Sequence, residues 1–502
     1  MTMLNALKGS TNYTHTENGA ITHKSTLNPI LDLFAMGAAY RTRTDEDCIL
    51  LFKKAYELSP KYALKCLFYI RDIRGGQGER RFFRVCMKWL AKHDPIAVQR
   101  NMKYFSEFGR WDDLYCLEDT CLEAEAFNIL KEQLIVDMTS EYPSLCAKWV
   151  KSENTSSSDT RRLATKTRKA LGMDHKHYRK MLSILRERIN VLERLMSAGE
   201  WEKIEFDKIP SRAGLIYKDA FRKHELIKEK YEAFAKDATT KVNAAALYPY
   251  EVVEKAITAT HYRSCNETDR AMINKYWDNL TDYFNGATFN ALAMVDTSGS
   301  MMGTPMNVAI SLGLYCAERM KGPFHNHYIS FSSRPRLIEC EGIDFVDKVK
   351  RIYSTNLCEN TNIEAAFDML LDTAIRNRIP QSEMPQNIIV ISDMEFDAAT
   401  ANSMNWFYHD RRQHNSSTIN SANAETVMEG IARKWKQYGY ECPHIVYWNV
   451  NARNDNIPAL GVGRISFVSG FSPSIFSTIM SGKDGIDLML DKLDSQRYAP
   501  IK

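Results

Sequence analysis

Phe289-Asn290-Ala291-Leu292-Ala293-Met294-Val295-Asp296-Thr297-Ser298-Gly299-Ser300-Met301 decides how this chain is read. Its first seven residues form a short apolar run of strand length that ends on an acid. Similar runs recur at 327–331, 387–392, 444–450 and 464–468, with helical patterns between them at 306–320, 345–352, 363–376, 422–438 and 484–493. Apolar strands alternating with helices imply a mostly parallel, Rossmann-like sheet covered on both faces. Ligands in such sheets bind outside the carboxyl ends of the strands. Asp296 and Asp393 both stand at such ends.

Upstream of Asn285-Gly286 the periodicity is helical almost throughout. Amphipathic segments at 27–40, 45–58, 61–73, 79–92 and 96–108 are separated by Ser59-Pro60, a glycine-rich turn at 74–78, Asp94-Pro95 and Gly109. Pro60 and Pro95 sit at helix starts, where a missing N–H costs nothing. One long helix is predicted over 174–199, and further helices over 212–236, 249–260 and 267–284. Helices of this length joined by short turns suit stacked hairpins in an all-α, HEAT-like solenoid or ring. The expected organisation is a flexible polar N-terminus (1–24), a helical domain (25–285) and an α/β domain (286–502).

Composition bounds the function. Of 502 residues 44% are hydrophobic and 25% charged, the globular average. No apolar run reaches the ~18–20 residues of a membrane helix, and residues 1–24 lack the apolar core of a signal peptide. The eleven cysteines are scattered, with no CxxC spacing. Reduced, mostly buried thiols and a cytoplasmic protein without membrane contact are therefore expected. The net charge is +4, yet residues 286–502 carry 20 Lys and Arg against 23 Asp and Glu. The basic excess lies in the helical half, where a polyanion would bind. No HExxH, GxSxG or Walker A motif is present, and the glycine turn lacks the GKS/T ending, so a non-enzymatic protein is expected.

Val295-Asp296-Thr297-Ser298-Gly299-Ser300 resembles the metal-ion-dependent adhesion site, or MIDAS, of von Willebrand A (vWA) domains. Physically, an acid at a strand end and hydroxyls two and four residues later offer hard oxygens to one point, suited to Mg²⁺ first and to Mn²⁺ or Ca²⁺ as alternatives. The resemblance extends to Asn360-Thr361-Asn362 before a helix, and to Ile391-Ser392-Asp393. It implies Asp296, Ser298, Ser300, Thr361 and Asp393 as metal ligands, with an open position filled by a partner's carboxylate. The family places glycine before the threonine; here Asn360 stands there. Glu395 and Asp397 are expected at the rim. The competing interpretation is a metal-free fold in which Asp296 only caps the next helix.

The two-part layout, together with 68–80 (FYIRDIRGGQGER), 108–114 (FGRWDDL) and 392–396 (SDMEF), resembles the Ro autoantigen family and, more closely, an uncharacterised relative family. In Ro proteins a ring of HEAT-like helices, the TROVE module, is closed by a vWA domain and binds small and misfolded RNAs. That implies a ribonucleoprotein scaffold with a small structured or misfolded RNA as partner. The residues supply a candidate surface: ten Lys and Arg between Arg161 and Arg188. Of these, Arg161, Arg162, Lys166, Arg168, Lys169, Lys176, Arg179 and Lys180 are the expected phosphate contacts, with His175, His177 and Tyr178 as rings able to stack. Arg71, Arg74 and Arg80 form a second candidate group around the glycine turn, whose bare backbone would let a phosphate approach. Solvated helix faces are the ordinary alternative for such charge runs. The competing function is a protein adaptor that clasps a partner's Asp or Glu on the metal. Metal-dependent nucleic-acid processing is a third, for which the sequence offers no general base.

Overall fold

The computed structural model describes residues 12–261, 266–331, 334–354, 361–398, 425–461 and 463–502. Asn360 and the start of the helix expected at 422 lie outside them.

Strands β1 (Tyr13–His15) and β2 (Ile21–His23) pair antiparallel as a hairpin. The larger sheet contains β3 (Ala291–Asp296), β4 (His327–Phe331), β5 (Arg336–Glu339), β6 (Asn387–Ser392), β7 (His444–Asn449) and β8 (Ile465–Ser469). Their order is β5-β4-β3-β6-β7-β8, parallel except for the antiparallel edge strand β5. Every residue of β3, β6 and β7 is buried. This explains why they read as unbroken apolar runs: both faces are covered, so no polar alternation survives. The chain moves from β3 outward to β4 and then returns to place β6 on the other side of β3. The carboxyl ends of β3 and β6 therefore flank the point where strand order reverses, where a cleft opens in this class of sheet.

The N-terminal half is helical. Thr44 closes a capping box with Asp47 and starts the helix Asp45–Leu58. Pro60 and Pro95 occupy first-turn positions of Pro60–Arg71 and Pro95–Asn101. The helix expected over 174–199 is two, His175–Arg188 and Leu192–Ser197. They part at Asn190, whose φ of 48° leaves the helical region. The segment 212–236 likewise divides into Ser211–Lys223 and Lys228–Lys236, with Ile227 turned into the core between them.

The N-terminal segment differs from expectation. Residues 12–24 are not a loose tail: His23 exchanges backbone hydrogen bonds with Ile457 at 3.0 and 2.9 Å, and the Thr22 hydroxyl donates to the Ile457 carbonyl at 2.8 Å. The helix Pro29–Met36 lies against β8 and the helix Gly485–Leu493, with Leu31 filling the space beside Gly461 and Gly485. At its other end the helical region packs Pro249–His261 on Thr304–Arg319 and Phe345–Ser354. Both ends of the helical half are thus seated on the α/β half, and one apolar core runs through both.

Candidate metal centre

Asp296 ends β3 with no exposed surface. Its Oδ1 accepts the Ser298 amide N–H at 2.9 Å, which turns the chain back over the strand end. Its Oδ2 accepts the Ser392 hydroxyl at 2.5 Å, tying the ends of β3 and β6 together. The Ser298 and Ser300 hydroxyls lie 3.0 Å apart, and Ser300 also bonds Asp393. Ser392 further accepts the Met394 amide at 3.0 Å, while Met394 adopts a φ of 66°. That turn swings Asp393 to the same point as Asp296, and the two carboxylates oppose each other electrostatically. Buried Thr361, just before the helix Ile363–Asn377, joins through Asn18, whose amide donates to its Oγ1 at 3.5 Å, and through Asp397, whose amide donates to its carbonyl at 3.0 Å.

Two buried acids in contact with hydroxyls carry a cost. Burial and the neighbouring Asp393 push the Asp296 carboxyl up to about 7, and burial raises Asp393 as well. Among the described residues Asp393 Oδ2 has no hydrogen-bond partner, and the Arg453 Nε lies 3.3 Å from it. Among the described residues no three His, Cys, Asp or Glu gather into a metal cage. The donors brought together here are instead two carboxylates with the Ser298 and Ser300 hydroxyls, while Thr361 is tied to the neighbouring loops through Asn18 and Asp397. That is a hard, all-oxygen set with a spare acceptor and excess negative charge, and it fits a divalent cation of the Mg²⁺ type.

Several contributors go beyond the residues expected from sequence. Ser392 stands beside Asp393 in the Ile391-Ser392-Asp393 motif, yet the resemblance gives it no role. Arg453, Asn454 and Asn456 follow β7, and their place after the carboxyl end of an apolar strand is the signal that could have found them. Glu395, expected at the rim, has no exposed surface. It accepts the Glu17 amide at 2.7 Å and the Asn454 and Asn456 side-chain amides at 2.9 Å, so it anchors loops beneath the rim.

Much of the expected phosphate surface is structural. Arg71 is 2% exposed and pairs with fully buried Asp113 at 2.7 Å, so it reaches no phosphate. Arg74 donates to the Glu107 carbonyl; only Arg80 of that group stays exposed without a partner among the described residues. The glycine turn is closed to ligands too. A Cβ on Gly76 would stand 2.1 Å from the Tyr69 carbonyl oxygen, and one on Gly78 would stand 1.8 Å from the Tyr248 hydroxyl. These glycines exist for close packing.

Within 161–188 the helices Ser158–Ala170 and His175–Arg188 divide the charges between them. Arg162 pairs with Glu118, Lys166 reaches Glu118 at 2.9 Å, and Arg168 pairs with Glu153 at 2.8 Å. Arg186 and Arg188 bind backbone carbonyls of 137–150, and Arg161 those of Thr155 and Ser156. Tyr178 is buried and donates to the Lys151 carbonyl at 2.6 Å, so it offers no stacking face. Lys169, Lys176 and Lys180 remain exposed with no ion pair among the described residues, and Arg179 beside them touches only its own helix.

A profile described as "Domain of unknown function (DUF2828)" matches residues 16–141 and 135–286, more than half of the chain. The chain belongs to the DUF2828 family. A second profile, "Domain of unknown function (DUF7788)", matches residues 290–497, which are the sheet half of this DUF2828 protein. The DUF2828 match begins at residue 16, in the hairpin turn, and ends at 286, just before β3. Uncharacterized protein L728 of Acanthamoeba polyphaga mimivirus is 28% identical over 536 residues, covering 98% of this chain and 89% of that protein. Among solved structures the Ro (RSR) protein of Deinococcus radiodurans aligns over 91% of this chain and all of its own, with 12% identity and a TM-score of 0.35.

Proposed function

We propose that this protein is a non-enzymatic, cytoplasmic binding scaffold whose α/β half is a vWA-type domain with a MIDAS-like Mg²⁺ site. The cation is held by Asp296, Ser298, Ser300 and Asp393, with Thr361 completing the set, and captures a carboxylate offered by a protein partner. One observation carries this: the two buried acids Asp296 and Asp393 meet serine hydroxyls at the strand-order reversal, and among the described residues Asp393 Oδ2 has no hydrogen bond. Arg453 answers one of the two acids, and a cation would supply the second positive charge and a ligand contact for Asp393 Oδ2. The expected outcome is partner capture on the immobilised full-length chain in Mg²⁺, release by EDTA, and none with Asp296→Ala. Capture that ignores both EDTA and the substitution contradicts it.

Lys169, Lys176, Arg179 and Lys180 favour a second reading, an RNA site on the helical half. Phosphate contacts of this kind make binding fall steeply with salt. Four contacts to single-stranded RNA correspond to a slope of roughly −3 in log affinity against log salt. The quadruple Glu variant at these positions is expected to lose filter retention of RNA at low salt. Since among the described residues these side chains bond nothing beyond their own helix, retention equal to the parent's removes this surface as an RNA site.

A further inference from the structure

The turn between β1 and β2 lies directly on the loops that build the cation cluster. The Thr16 hydroxyl donates to the Phe396 carbonyl at 2.6 Å, and the Glu17 amide donates to Glu395 Oε2 at 2.7 Å. The Asn18 side-chain amide bridges the Glu395 carbonyl at 2.6 Å and the Thr361 hydroxyl at 3.5 Å. The Ala398 amide returns a bond to the Asn18 carbonyl at 3.2 Å. Gly19, at φ 86°, permits this path.

That docking delivers a carboxylate. Glu17 Oε2 lies 2.8 Å from the Arg453 guanidinium, and its Oε1 accepts the Asn454 side-chain amide at 2.9 Å. The same guanidinium reaches Asp393 Oδ2 at 3.3 Å. Glu17 and Asp393 therefore share one arginine, and the charge of Glu17 bears on Asp393. Hard divalent cations take about six or more oxygen ligands, and carboxylates are preferred among them. The strand-end loops bring together four oxygen-bearing side chains, those of Asp296, Ser298, Ser300 and Asp393. A carboxylate already seated beside them by its own hairpin has the chemistry for a remaining position. At 45% exposure it is also free enough to shift toward a bound ion.

The geometry points to Glu17 as the cation site's in-cis carboxylate: the N-terminal hairpin caps the site, and a partner's acid gains access by displacing it. This rests on the cation reading above and names what occupies that site in the free chain. Arg453 is then a positioning residue that holds whichever carboxylate is present, the chain's own or the partner's.

The test uses metal-free full-length protein, Mn²⁺ and a short glutamate-containing peptide. Mn²⁺ is expected to slow amide hydrogen exchange over 13–23 in the unaltered chain. Glu17→Gln is expected to bind Mn²⁺ about tenfold more weakly. It should also lose the Mn²⁺-dependent protection and take up the peptide more tightly than the parent. Equal Mn²⁺ and peptide affinities, with hairpin exchange indifferent to Mn²⁺, would reduce Glu17–Arg453 to a surface ion pair and overturn the proposal while the cation site stands. No Mn²⁺ binding by the unaltered chain would overturn both. The exchange measurement needs no variant, so it decides the matter even where Glu17→Gln folds poorly.

Discussion

Replacing Asp113 by alanine is expected to destabilise the helical half by about 3–5 kcal/mol, the scale on which a buried ion pair fails when one partner is removed. Asp113 receives Arg71 through two guanidinium nitrogens at 2.7 and 2.8 Å, Arg84 at 2.7 Å and the Arg110 amide at 2.9 Å. Without it, Arg71 keeps a charge inside the core with nothing to answer it. Domains are stable by only about 5–15 kcal/mol, so the loss is a large share of the whole. The double variant Arg71→Met with Asp113→Leu is expected to recover part of it, because removing both charges also removes the desolvation cost. Urea denaturation followed by circular dichroism reads both. A midpoint for Asp113→Ala equal to the parent's would mean that this cluster does not hold the helices together.

This cluster shows why the arginines around the glycine turn at 74–78 misled as a phosphate site. Arginines beside glycines look like an anion cradle when only sequence is visible. The partners that consume them stand elsewhere: Asp113 lies 42 residues from Arg71, and Asp72 takes the guanidinium of Arg497 and the Tyr498 hydroxyl at 2.9 Å from the far end of the chain. Pairings over such separations leave no periodic trace. Gly109 belongs to the same cluster, since a Cβ there would meet Asp113 Oδ2 at 2.2 Å.

The sheet was far more legible, because a strand buried on both faces writes a continuous apolar run that needs no partner to be recognised. All five predicted strands are present within a residue or two, and each site acid falls at the end of one. β5 was not foreseen: it is an exposed edge strand, and Arg336 to Glu339 carry little apolar signal. The N-terminal hairpin was lost for a similar reason. Its Thr, Asn and Glu residues are polar because they bond the loops of the distant site, and polarity at a terminus reads as looseness when the binding surface is out of view.

Divalent-cation uptake is the second large effect, and its pH dependence has a definite sign. With the Asp296 carboxyl pushed up from its ordinary 3.8 to about 7, a proton occupies the metal-free site below that pH. A cation must displace it, so affinity is expected to fall by about tenfold per pH unit as pH drops below 7, and to level off above it. Stability follows the same linkage. The folded value lies above the unfolded one, so the contribution of Asp296 is fully present below about pH 4 and is lost as pH rises through about 7. Saturating Mg²⁺ is expected to offset that loss by neutralising the acids.

Mn²⁺ titration by calorimetry on the metal-free full-length chain, beside Asp296→Ala, tests the central claim most directly. The expected result is saturable uptake of one ion near neutral pH, weakened at least about a hundredfold by the substitution while circular dichroism stays unchanged. No heat of binding in the unaltered chain, or equal binding by the folded variant, would contradict it.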